Sequence, residues 1–187
     1  MTYDNRAVDR DLPEFVSFML ATGMRIGEAC AITWDGVDLH AGTVEVRGTV
    51  IRLKGQALVL TSTTKITVRI LALPTWRVEA LRDRAQRQAD IGVAHGDDPV
   101  FPSTQRGLRD PSNTHGDLCE SLALCGLPWV TSHVFRKTTA TLLDEAGLSA
   151  RAIADQLGHA QPSVTQNVYM GRKIASTKAA IVLEQLA

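Results

Sequence analysis

The apolar residues near the start of the chain recur at helical spacing and predict a first helix. Its apolar face is formed by Leu12, Phe15, Val16, Met19 and Leu20. Asp11 and Glu14 have the spacing of a capping box, and Gly23 is placed to end the helix. A second helix is expected over residues 25–33.

Residues 43–73 change to the two-residue alternation that is typical of strands. Val44, Val46 and Val50 fall at this period within a stretch rich in β-branched side chains. The predicted strands cover residues 43–53, 57–61 and 67–73, with a turn at 54–56. The pattern predicts a small three-stranded antiparallel sheet.

The remainder of the chain returns to helical spacing. Predicted helices cover residues 76–91, 112–124, 133–145, 150–157, 162–169 and 173–186, with Ser132 and Ser149 as N-caps. Residues 92–111 are mainly loop. We therefore expect an α+β fold that is mainly α-helical with one small three-stranded antiparallel sheet. At 187 residues the chain suits one ordinary domain.

The composition is that of a soluble globular protein, with 44% apolar and 21% charged residues. No apolar run is long enough to span a bilayer, and no signal-peptide pattern is present. Cys30, Cys119 and Cys125 lack paired spacing, which argues against a disulfide framework and a zinc site. We expect a cytoplasmic protein with reduced thiols and no cofactor.

The formal net charge of zero conceals an uneven charge distribution. Residues 47–87 hold nine Lys or Arg against two Asp or Glu, and the stretches on either side are acidic. A basic stretch of this kind can bind phosphates. It predicts a surface that faces DNA, although a solvated charged surface would give the same pattern.

The first two of five short motifs carry Arg25 and Lys65. Arg25 follows a glycine stop at the start of a predicted helix, where its guanidinium could bind a phosphate through two hydrogen bonds. Glu28 lies one turn later and could orient it. Lys65 lies between two predicted strands, where a lysine could reach a groove and deliver a proton.

The other three motifs contain two histidines, an arginine and a tyrosine. His133 and Arg136 are three residues apart and share one face near a helix start, where free N–H groups favour anions. Gly158 is placed to end a helix immediately before His159, and Tyr169 follows ten residues later. Each motif alone is also compatible with an ordinary surface or core residue.

Taken in order, the five motifs resemble the tyrosine recombinase (phage integrase) family from Ala21 to Gly171. The resemblance implies a catalytic set of Arg25, Lys65, His133, Arg136, His159 and Tyr169. Glu28 matches the acidic position that accompanies the first arginine. Lys54 and Arg69 are rivals for the role of Lys65. Lys137 follows Arg136 where many members have histidine, with no expected catalytic consequence.

The resemblance also implies a mechanism. Two arginines and a histidine (Arg25, Arg136 and His159) would bind the nonbridging phosphate oxygens. Tyr169 would attack in line to form a 3′-phosphotyrosyl intermediate. His133 is the candidate base and Lys65 the candidate acid for the departing 5′ oxygen.

The implied partner is double-stranded DNA at recombination sites, with self-association on DNA into a tetramer. A bacterial or phage-encoded cytoplasmic enzyme is expected. Residues 1–187 are expected to form one catalytic domain without the family's N-terminal DNA-binding domain. The tail helix over residues 173–187 could pack on its own domain or be exchanged with a neighbouring protomer.

Two other functions stay open at this point, besides an inactive relative that serves as a scaffold, which the presence of the full residue set disfavours. Residues 148–169 are typical of a helix-turn-helix, which would suit a non-enzymatic DNA-binding domain. That function leaves Arg25, Lys65 and the pair of His133 and Arg136 unexplained. A type IB topoisomerase shares the catalytic logic, but the compact motif spacing favours a recombinase.

Overall fold

The computed structural model describes residues 5–53, 57–62, 68–93 and 96–159. Lys65 and Tyr169 lie outside these described residues, as do the predicted helices at 162–169 and 173–186. Within the described residues the fold is mainly helical with small antiparallel sheets, which confirms the expected fold class.

Most of the predicted helices are present. The helices are α1 (Asn5–Asp9), α2 (Leu12–Thr22), α3 (Ile26–Ala29), α4 (Thr75–Ala89), α5 (Pro111–Leu124), α6 (Ser132–Glu145) and α7 (Ala150–Leu157). Gly23 ends α2 and Gly158 ends α7, each in the left-handed conformation. Ser149 caps α7, as predicted, whereas Thr131 rather than Ser132 occupies the N-cap of α6.

The second predicted helix is much shorter than expected. It ends at Ala29, and residues 34–36 form a separate 3-10 helix. The backbone between them bonds to a distant loop instead: Val100 N donates to Ile32 O at 2.9 Å, and Trp34 N donates to Asp98 O at 3.1 Å. These long-range bonds compete with the helical ones and stop α3.

The described strands form two separate sheets instead of the single sheet that was expected. The strands are β1 (Val37–Asp38), β2 (Thr43–Val46), β3 (Gly48–Arg52), β4 (Leu58–Ser62) and β5 (Arg69–Ala72). A three-stranded sheet has the order β1-β2-β5, and β3 and β4 form a separate hairpin. The first predicted strand therefore breaks at Arg47. Gly48 permits the hairpin pairing, because a Cβ there would lie 2.7 Å from the carbonyl oxygen of Thr61.

The core lies between α2, the three-stranded sheet and the segment around Phe101. The rings of Phe15 and Phe18 pack on Phe101 with centroids 5.4 and 5.1 Å apart. Helix α6 packs across α2 and against α7. This packing brings the end of α2, the start of α3 and the end of α7 to one side of the molecule.

The capping box predicted for Asp11 and Glu14 is not formed. Asp11 has φ 59° and makes no side-chain cap. Its carboxylate instead binds Arg84, whose Nε also donates to Glu14 at 2.9 Å. The Arg84 guanidinium lies over the Phe101 ring at 4.5 Å. A buried cation needs such partners, and their attraction outweighs a local cap.

The DNA-facing surface expected over residues 47–87 stays a prediction, although its described arginines also have partners within the chain. Five of its seven arginines make ion pairs with carboxylates of the chain: Arg47, Arg52, Arg69, Arg84 and Arg87. Arg77 is 1% exposed, and Arg82 donates to a backbone carbonyl. Arg69, Arg77 and Arg84 are largely buried in these contacts, whereas the side chains of Arg47, Arg52 and Arg87 stay about half exposed.

Replacing Arg84 by Gln should lower the free energy of unfolding by about 3 kcal/mol, because a buried ion-pair network loses its cation. Arg87 also binds Glu14 but is 56% exposed, against 6% for Arg84. The matched variant Arg87→Gln should cost about 0–1 kcal/mol. Urea denaturation of both variants measures the difference, and equal losses would contradict the structural role given to Arg84.

Candidate active site

The ends of two helices, α2 and α7, meet around Arg136, which lies on α6 and is only 2% exposed. Its Nη1 donates to the carbonyl of Gly23 and its Nη2 to the carbonyl of Leu157, both at 2.7 Å. Carbonyls at helix C-termini lack partners within the helix, so one guanidinium satisfies the ends of α2 and α7. Gln156 adds a bond from Nε2 to the carbonyl of Thr22 at 3.0 Å.

The same guanidinium fixes His159. Arg136 Nη2 lies 2.7 Å from His159 Nε2. Because a guanidinium only donates, Nε2 must accept, and the imidazole is neutral with its proton on Nδ1. Burial, together with the charges of Arg136, Arg25 and Arg69 and against the opposing effect of Glu28, lowers the pKa of His159 to about 4.

Arg25 occupies the N-cap of α3 with its side chain 52% exposed. Its Nη1 donates to Glu28 Oε1 at 3.1 Å, and its backbone N–H donates to Oε2 at 2.9 Å. Glu28 is therefore in contact with Arg25, and its role in orienting that arginine stays a prediction. Burial opposes ionisation of Glu28, but hydrogen bonds and charges from Arg69 and Arg25 hold its pKa below the ordinary value.

Arg69 also binds Glu28. The sequence indicated Arg69 only as a rival to Lys65. It lies on β5, 10% exposed, with Nη2 at 2.9 Å and Nη1 at 3.3 Å from the two oxygens of Glu28. A guanidinium in these contacts stays charged, which argues against proton donation. The two-residue alternation of the strand could have indicated that Arg69 is largely buried, because it places Arg69 on the same face as buried Leu71.

His133 lies in the first turn of α6, three residues before Arg136, and is exposed. The cluster formed by Arg25, Glu28, Arg69, Arg136 and His159 is called the arginine cluster below. Lys65 and Tyr169 lie outside the described residues, so their roles stay predictions.

The arginine cluster is suited to binding an anion. The guanidiniums of Arg25 and Arg69 share the Glu28 carboxylate, Arg136 contacts His159, and the Arg25 side chain is half exposed. In the described part of the chain, no three His, Cys, Asp or Glu side chains approach closely enough to hold a metal ion. None of the described helices has the length and hydropathy for a membrane span.

A model of the phage integrase family matches residues 3–174. The chain belongs to this family. It is 28% identical over 171 residues to a tyrosine recombinase XerC-like protein of Caldanaerobacter subterraneus subsp. tengcongensis, covering 81% of this chain and 44% of that protein. The chain spans about half the length of the curated relatives it matches.

Solved structures of integrases share the fold. The Tn1549 transposon integrase, in complex with transposon right end DNA, has a TM-score of 0.78 at 17% identity, covering 99% of this chain and 64% of that one. The XerA recombinase has a TM-score of 0.69 at 25% identity, covering 97% of this chain and 59% of that one. The fold is that of a tyrosine recombinase catalytic domain.

The pKa of His159 should be about 4 in the folded chain, against 6.5 for an ordinary histidine. The unfolded chain then binds a proton that the folded chain does not, so stability falls as the pH drops from 6.5 towards 4. An NMR titration measures the pKa directly, and His159→Gln should remove this part of the pH dependence. A folded-state pKa at or above 6.5 would contradict the assignment of His159 as a neutral imidazole bound to Arg136.

Proposed function

We propose that this chain is the catalytic domain of a site-specific DNA recombinase or integrase. It would cleave and rejoin double-stranded DNA through a 3′-phosphotyrosyl intermediate. The observation that carries the proposal is the arginine cluster, in which Arg25, Arg136 and neutral His159 come together although they are far apart in sequence. Relatives named tyrosine recombinases support it.

Arg25, Arg136 and His159 of the arginine cluster would bind the nonbridging oxygens of the scissile phosphate. Arg25 would supply the solvent-facing guanidinium, held from behind by Glu28. His159 would donate its Nδ1–H, since Nε2 is taken by Arg136. Donors that are already fixed before the reaction stabilise the developing charge without reorganising.

Tyr169 would then attack phosphorus in line. The bond from phosphorus to the tyrosine oxygen forms, the bond to the 5′ oxygen breaks, and the phenolic proton passes to His133. Lys65 would protonate the departing 5′ oxygen. In the second step a 5′ hydroxyl of another strand displaces Tyr169, so joining requires no nucleotide cofactor.

The proposed partner is double-stranded DNA, and self-association on DNA, as a tetramer, would bring two duplexes together. The Tn1549 integrase, which shares the fold, was solved with DNA bound. A bacterial or phage-encoded cytoplasmic protein suits this function. Exchange of residues 173–187 between protomers is part of the proposal, although these residues lie outside the described ranges.

The two alternatives are less well supported. A non-enzymatic helix-turn-helix protein would explain α7, with Ser149 as its cap and Gly158 as its end. It would not require Arg136 to be buried against His159. A type IB topoisomerase would relax supercoiled plasmid when one protein molecule is present per plasmid. A recombinase, which acts on two sites together, should not relax the plasmid under that condition.

An SDS-stable protein–DNA adduct should form on nicked duplexes, because the fragment released at the nick diffuses away and cannot be rejoined. A pool with randomised sequence around the nick removes the need to know the target, and sequencing of the recovered adducts identifies it. Tyr169→Phe should form no adduct. The chain has two tyrosines, so Tyr3→Phe is the matched control and should behave as the unchanged protein. Adduct formation by Tyr169→Phe would refute the nucleophile.

Lys65→Ala should slow cleavage of the recovered sequence when the leaving 5′ oxygen is normal. It should slow cleavage much less when that oxygen is replaced by sulfur, because a thiolate leaves without a proton. The matched variant Lys54→Ala tests the rival lysine in the same assay. If sulfur at the leaving position restores cleavage by Lys54→Ala but not by Lys65→Ala, the general acid is Lys54.

A further inference from the structure

Arg69 joins two parts of the site that are distant in sequence. Two nitrogens of its guanidinium bind Glu28, which holds Arg25. The third nitrogen, Nε, donates to the carbonyl of Gln156 at 3.1 Å, in the last turn of α7. Arg69 therefore connects Glu28, which holds Arg25, to the end of α7, which precedes His159.

The guanidinium also packs directly on the turn that carries His159. A Cβ on Gly158 would lie 2.5 Å from Arg69 Nη1 and 2.8 Å from its Cζ. Gly158 has φ 69°, so the turn needs glycine for its conformation as well as for this close approach. The backbone N–H of His159 donates to Ala154 at 2.9 Å, which continues the same turn.

We infer that Arg69 is a positioning residue for His159: it clamps the turn at Gly158 against Glu28 and so sets where the His159 imidazole meets the phosphate. This inference rests on the proposed function. Arg136 holds the imidazole by its Nε2, and Arg69 holds the backbone that delivers it. Two fixed points define the ring better than one, and misplacement of a reacting group by about 1 Å can cost about 10²-fold in rate.

The test is a double-mutant cycle on single-turnover cleavage of the nicked sequence recovered from the randomised pool. Arg69→Gln should slow cleavage by roughly 10- to 100-fold with DNA affinity nearly unchanged. In the His159→Ala background the same change should cost less than about twofold, because the residue that Arg69 positions is gone. Arg82→Gln, which removes an exposed arginine bound to the Leu39 carbonyl, is the control for lost charge.

Arg69→Lys keeps the charge but cannot bind both oxygens of Glu28 and the Gln156 carbonyl together. It should also slow cleavage, and the loss should again vanish in the His159→Ala background. This variant decides the question if Arg69→Gln does not fold, as judged by thermal unfolding. A loss that persists unchanged without His159 would show a general structural role and overturn the inference, as would full activity of Arg69→Lys.

A second measurement needs no cleavage and separates this inference from the proposed function. Nitrogen NMR of the full chain with labelled histidine should show His159 as one tautomer, protonated on Nδ1, in the unchanged protein and in Arg82→Gln. Arg69→Gln should give a mixture of tautomers, because a turn that is no longer clamped would not hold Nε2 against Arg136. An unchanged tautomer in Arg69→Gln would overturn the inference, whereas absence of any adduct with the unchanged protein would refute the proposed function alone.

Discussion

The burial of Arg136 is the constraint on which the rest of the site depends. A guanidinium with 2% exposure must find hydrogen-bond acceptors within the protein. It finds them at Gly23 and Leu157, the carbonyls left unpaired where α2 and α7 end. The contact that joins these helix ends also fixes His159, so the stability of the fold and the geometry of the proposed phosphate site share one side chain.

Most of the described arginines in the basic stretch are paired with carboxylates of the same chain. The basic stretch at residues 47–87 is mostly engaged with carboxylates, as Arg84 with Glu14 and Arg69 with Glu28 demonstrate. Arg25, like Arg52, is half exposed while the carboxylate that it binds is buried. The zero net charge of the chain is therefore compatible with a local cationic site, whose field also keeps His159 neutral.

The features that local sequence could predict are those set by local chemistry. Gly23 and Gly158 end their helices, Ser149 caps α7, and the spacing of His133 and Arg136 places both on α6. Contacts between distant segments were not predictable. Arg69 meets Glu28 across 41 positions, and the break of the first strand at Arg47 depends on β2 pairing with β5. Both follow from tertiary packing, which hydrophobic periodicity does not encode.

The cationic site is proposed to promote formation of a covalent bond between Tyr169 and a DNA phosphate. The most direct measurement is tandem mass spectrometry of the protein–DNA adduct after nuclease trimming and trypsin digestion. Trypsin places Tyr169 in the peptide of residues 152–172, together with His159 and Gly158. A nucleotide attached through phosphate to the oxygen of Tyr169 is expected. Attachment to another side chain of this peptide, or to any other peptide, would contradict the claim.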